Sequence, residues 1–189
     1  MIKEPASPVC YAAEASDAYM GYLDRDALIK ALNELLEAER AGARVALASQ
    51  KQKTHGEVQR LMNIVHLDEA RWCAMLQQQI KQLGGNPSPR CGAFHDKAMK
   101  IADPLERLSF LNRGQNWVVR RLAELLPRVR DDVLHRRLSE MQESHVIGIE
   151  RVNATIALCH TANSRSGTYP SIRPRGDTAQ DSQTPIAKG

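Results

Sequence analysis

The chain has 189 residues, 42% hydrophobic, 25% charged and only 4% aromatic, which suits one water-soluble core with tails. The formal net charge is +4, but Arg165, Arg173, Arg175 and Lys188 against Asp177 and Asp181 put half of that excess beyond residue 160, leaving a core too weakly basic for a nucleic-acid face. No run approaches the roughly 18 apolar residues of a membrane span. Cys10, Cys73, Cys91 and Cys159 form no CxxC pair, and Lys3, Glu4, Asp17 and Asp24 interrupt the region where a signal peptide would be apolar. A cytoplasmic protein with reduced thiols, and with neither membrane nor nucleic acid as partner, is the expectation.

Residues 1–20 and 161–189 are rich in Ser, Pro, Gly, Ala and Thr and read as flexible tails around a folded domain at 21–160. The first helix follows the cap Asp24 and sets Leu28, Leu32, Leu35, Glu39, Gly42 and Ala46 on one face. Thr54-His55-Gly56-Glu57 has the form of a capping box opening a second helix. Its stripe is Val58, Met62, Val65, Glu69, Trp72, Leu76, Gln79 and Leu83, and Gly84-Gly85 supplies a left-handed stop. The connection from Gly84 to Ala102 is longer than helix neighbours usually need, with a short helix expected within Ala93 to Ile101, and it predicts a crossover between two hairpins. Asp103-Pro104-Leu105-Glu106 opens the third long helix, with Leu108, Asn112, Gln115, Val119, Leu122 and Leu126 inward and Pro127 at its end. The fourth starts near Asp131 or Asp132 and buries Leu134, Leu138, Met141, His145, Gly148, Val152 and Ile156. No alternating strand pattern occurs.

Three of these stripes contain a side chain that packing alone would not choose: Glu39, Glu69 and His145. A buried carboxylate needs a cation, a hydrogen-bond network or a proton. Glu39 lies as far before Thr54 as Glu69 lies after it, so a hairpin turning there sets both at one height, roughly 22 Å from the turn at 1.5 Å per residue. Gln115, Gln142 and His145 come to the same level about a turn near Pro127.

Over roughly residues 24–158 this pattern resembles the ferritin-like superfamily, the rubrerythrin and di-iron carboxylate four-helix bundles. The resemblance implies one Glu on helices one and three and Glu-x-x-His on helices two and four. Glu39, Glu69 and His145 match three of these positions, whereas Trp72 stands for a histidine, and Gln115 and Gln142 stand for glutamates. Three ligands are too few for an ordinary di-iron centre. They imply a reduced site for one Fe, Mn or Zn ion held by Glu39, Glu69 and His145, with His66 one turn from Glu69 as a substitute nitrogen ligand. Trp72, Asn112, Gln115 and Gln142 would orient ligands or substrate around it.

Two other readings stay open. A metal-free bundle would use these groups as a polar core network that sets helix register, making it a scaffold or interaction protein with no cofactor. Glu39 and Glu69 could instead share a proton as an acid–base pair, or turn outward to Arg40, Arg71 or Arg113. There is no Gly-x-Gly-x-x-Gly, Walker or Gly-x-Ser-x-Gly signature, and cage-type iron storage lacks its paired site. A homodimer through an outer helical face is the expected assembly.

Overall fold

The computed structural model describes residues 20–51 and 56–166, and its long elements are helices: α1 (Arg25–Gln50), α2 (Gly56–Gln82), α4 (Pro104–Leu125) and α5 (Asp132–Ser166), with the short α3 (Phe94–Met99) between α2 and α4. The Asp24 carboxylate accepts from the Ala27 N–H at 2.8 Å, Asp103 from Glu106 at 2.8 Å ahead of Pro104, and Asp131 from Leu134 at 2.7 Å. Each satisfies an amide that the first helical turn leaves without a partner. Gly84 closes α2 at φ +72°, where a Cβ would be strained. The expected capping box at Thr54 and His55 lies outside the described residues, as do residues 1–19 and 167–189. Helix α5 continues to Ser166, past the domain limit of 160 expected from composition.

Helices α1 and α2 form one antiparallel hairpin, and α4 and α5 form the other. Arg25 at the start of α1 donates to the Leu83 carbonyl after α2, and Leu23 N–H donates to the Arg128 carbonyl in the α4–α5 turn. The connection then returns along α1. Asn33 bonds Asn86 and Ser88, Arg40 donates to the Ser88 and Arg90 carbonyls, and α3 packs on α1 and α4. Helix α4 therefore begins beside the C-terminal end of α1, and the order is up, down, crossover, down, up, as the long connection predicts.

The core is divided. One apolar cluster holds Leu32, Leu35, Leu76, Leu122 and Leu138, the other Val45, Met62, Leu108, Leu111 and Val152. Between them lies a layer containing Glu39, Glu69, Gln115 and His145, all buried. Helix α4 is turned slightly from its expected face, burying Leu111, Val118 and Leu125, while Val119 and Leu126 are only partly covered. No helix among the described residues is long and apolar enough to cross a membrane.

Arg107 ties the crossover to both hairpins. Its guanidinium, 2% exposed, donates to the Ile101 and Ala102 carbonyls and to Ser49 Oγ at the end of α1. Substituting Arg107→Met removes these charge-assisted hydrogen bonds between α4, the crossover and α1, so thermal melts should show a loss of about 1–3 kcal/mol.

Candidate functional site

Each long helix contributes one group to the midplane layer: Glu39 from α1, Glu69 from α2, Gln115 from α4 and His145 from α5. His145 Nδ1 donates to the Met141 carbonyl at 2.9 Å, one turn back on its own helix, which fixes the ring and aims Nε2 inward. Nε2 meets Glu39 Oε1 at 3.1 Å. Gln115 Nε2 donates to Glu69 Oε1 at 3.3 Å. The other Glu69 oxygen lies against Gly42, where an added Cβ would overlap Oε2. Glycine at 42 is thus what admits the Glu69 carboxyl to the layer.

Of the remaining expected site residues, His66, Gln142 and Asn112 bond outside the cluster and Trp72 borders it. His66 does not line the cavities at the cluster, and its Nδ1 faces the Ala43 carbonyl at 3.1 Å. Gln142 donates to the Val119 carbonyl at 3.1 Å, and Asn112 to Asn153 Oδ1 at 2.8 Å, so both link α4 to α5 outside the cluster. Trp72 is buried beside the cluster, sharing with Glu69, Gln115 and His145 a cavity of about 10 Å³, and its Nε1 has no partner among the described residues. The Arg71 guanidinium covers its ring at 4.1 Å from the centroid.

Burial pushes the Glu69 carboxyl well above the usual carboxylate range, and the neighbouring Glu39 charge adds to the effect. For His145 burial opposes the charged form, but the Glu39 charge, the Glu39 hydrogen bond and the Glu69 charge outweigh it and raise the imidazole to about 9. The buried layer thus favours a proton on the His145 imidazole and disfavours the charged form of the Glu69 carboxyl. The nearby thiol of Cys73 is pushed up to about 12 by burial and by the same carboxylates, so it stays protonated.

A cavity of about 740 Å³ opens from this layer to the surface between α1, α3 and α4. Glu39, Gly42, Glu69, Gln115 and His145 form its floor, and Ala38, Phe94, Phe110, Leu111 and Val118 its walls. The Phe94 and Phe110 rings stack at 4.7 Å, and Gly114 makes room for the Phe94 ring. Periodicity could show the floor residues, but not the cavity, because it depends on where the crossover lays α3.

The model of a family described as "Domain of unknown function (DUF6306)" matches residues 26–154, a span that includes the whole cluster. The chain belongs to the DUF6306 family. None of the curated proteins matches it. Among solved structures it is similar to ferritin-like, diiron-carboxylate proteins from Bacillus anthracis str. Ames, with TM-score 0.63 and 17% identity over 70% of this chain and 96% of that one. It is also similar to a two-domain protein with DJ-1/ThiJ/PfpI-like and ferritin-like domains from Anabaena variabilis ATCC 29413, with TM-score 0.60 and 15% identity over 94% of this chain and 49% of that one. The fold is ferritin-like, as the resemblance implies.

The donors of this DUF6306 chain do not fit a di-iron centre. Trp72 carries an N–H that cannot ligate, Gln142 is committed to α4, and Gln115 is neutral. Among the described residues no group of three or more His, Cys, Asp or Glu side chains is arranged to hold a metal ion.

Two outcomes follow from the cluster. In a helix Gly→Ala ordinarily stabilises by about 0.5–1 kcal/mol; Gly42→Ala should instead cost about 1–3 kcal/mol by displacing Glu69. In a Glu69→Ala background the same substitution should cost nothing, and a double-mutant cycle measured by denaturant unfolding reads the difference. The second outcome concerns pH. The folded state holds the His145 proton more tightly than the unfolded chain, so its stabilisation is full below the ordinary value of 6.5 and is lost as pH rises through about 9. The raised Glu69 carboxyl acts in the same direction, losing stabilisation as pH rises above its ordinary value of 4.5. Melting curves should show stability falling between those His145 limits by up to about 3 kcal/mol, and His145→Gln should flatten that segment.

Proposed function

We propose that this chain is a ligand-binding ferritin-like protein in which a proton-carrying cluster stands at the level of the family fold's metal centre and forms the polar floor of an apolar pocket. The observation that carries this reading is the direct contact of His145 Nε2 with Glu39 Oε1 at 3.1 Å. It joins two groups that would otherwise converge on a cation, and burial disfavours the charged form of Glu69, the other carboxyl that such a cation would need. The volume of about 740 Å³ falls in the range of small-molecule pockets. Apolar walls would supply most of the binding, while Glu39, Glu69 and Gln115 would orient one hydrogen-bonding group of the ligand.

A second reading, one Fe, Mn or Zn ion on Glu39, Glu69 and His145, is favoured by two details. His145 Nδ1 is anchored on a carbonyl, as in metal-bound histidines, and Glu39 Oε2 has no hydrogen-bond partner among the described residues. One experiment separates the readings: elemental analysis of protein purified without chelator and then incubated with Fe, Mn and Zn, beside calorimetric titration with octanol. The pocket reading expects negligible metal and saturable binding of one octanol per chain, abolished by Ala38→Phe, which fills the cavity. A stoichiometric ion, lost in both Glu39→Gln and His145→Ala while the helices persist, would establish the second reading instead. Absence of both metal and octanol binding would leave only a polar core that sets helix register.

A further inference from the structure

The mouth of the cavity is charged, and its charges are unequally matched. Two acids line it, and each already has a cation outside the cavity lining. Glu34 accepts from Arg121 at 2.8 and 3.1 Å, and Glu37 accepts from Arg90 at 3.0 Å and from Ser88 at 2.6 Å. Three cations line the same mouth, Lys97 from α3 and Arg113 and Arg120 from α4, all exposed and none with a carboxylate partner among the described residues. Arg113 lies over the Phe110 ring at 5.1 Å, which holds its guanidinium against the apolar wall. The exposed Trp117, 41% accessible, adds an apolar lip beside them.

Taking the pocket reading as its basis, we infer that the ligand is an anionic amphiphile: a carboxylate held by Lys97, Arg113 and Arg120 at the mouth, with an apolar chain running inward between Phe94, Phe110 and Val118. Charge complementarity selects the head. A neutral chain would leave three cations facing water as before, and an amine would meet their repulsion, whereas a carboxylate gains charge-assisted hydrogen bonds from arginines at the edge of a low-dielectric wall. The acids do not compete for the head, because their own cations neutralise them. An apolar body suits the walls, and its depth ends at Glu39, Glu69 and Gln115, which would receive a hydroxyl at the inner end better than a methyl.

The test uses the full-length chain and calorimetric titration at low salt with octanoate, octanol and octylamine. Octanoate should bind at one per chain and about tenfold more tightly than octanol, with octylamine weakest, and added salt should shrink the gap between acid and alcohol. Lengthening hexanoate to octanoate to decanoate should tighten binding by about two- to fourfold per methylene. The triple variant Lys97→Gln, Arg113→Gln, Arg120→Gln changes only exposed positions; it should bring octanoate to the affinity that octanol shows on the same variant. Octanol or octylamine binding as tightly as octanoate would overturn the anionic head while leaving the pocket reading intact. So would an octanoate affinity indifferent to the triple variant. Failure of all three probes to bind would overturn the pocket reading, and this inference with it.

Discussion

The contact between Glu39 and His145 is the constraint on which the rest of this bundle depends. Neither group is tolerable alone at its depth, since an unpaired buried charge costs several kcal/mol. Together they bridge α1 and α5, helices from different hairpins that are far apart in the chain. The pair therefore specifies how the two hairpins face each other. A slide of one hairpin by a single turn, about 5.4 Å, would separate the partners and bury two bare charges. The apolar clusters above and below have no comparable demand, because leucine against leucine tolerates small shifts.

That constraint propagates through backbone choices. Glu69 can reach the layer only because position 42 carries no side chain, and the hydrogen bond from Gln115 then fixes the carboxyl from the opposite hairpin. The crossover has a second effect. Asn33 and Arg40 hold its first part along α1, and Arg107 anchors its end, so α3 packs on α1 and α4 and walls the cavity above the layer. A tighter connection would close that groove with apolar side chains and convert the site into plain core.

Much of this was legible in the residues. Capping signals at Asp24 and Asp103, the glycine stop at Gly84 and the stripes interrupted by Glu39, Glu69 and His145 carry local physics, and local physics is what periodicity records. The crossover was legible too, because the length between Gly84 and Ala102 exceeds what a tight turn needs. Side-chain direction was not. His66 and Glu69 are three residues apart on nearly one face, yet a rotation of a few tens of degrees about α2 delivers Glu69 to the core and His66 to the Ala43 carbonyl. Gln142 and Asn112 were likewise placed at the right height but turned to backbone or to Asn153, a choice made by neighbours in space rather than in sequence. The rim cations Lys97, Arg113 and Arg120 carried no signal at all, since exposed basic residues on a helix ordinarily mean only solvation.

Electrostatics gives the departures from the di-iron pattern a common sense. Two multivalent ions need several anions around them; with Gln115 and Gln142 in place of glutamates, and an indole in place of an imidazole, that supply is gone. What remains would be unstable as bare charge, and a proton resolves it. Held on His145 it offsets the Glu39 charge, while burial and that same charge press the Glu69 carboxyl toward its neutral form. These groups sit at the inner end of a largely apolar cavity, so a ligand that reached them would meet hydrogen-bonding groups at fixed positions. Convergence of four helices thus sets Glu39, Glu69, Gln115 and His145 in one layer at the inner end of that cavity.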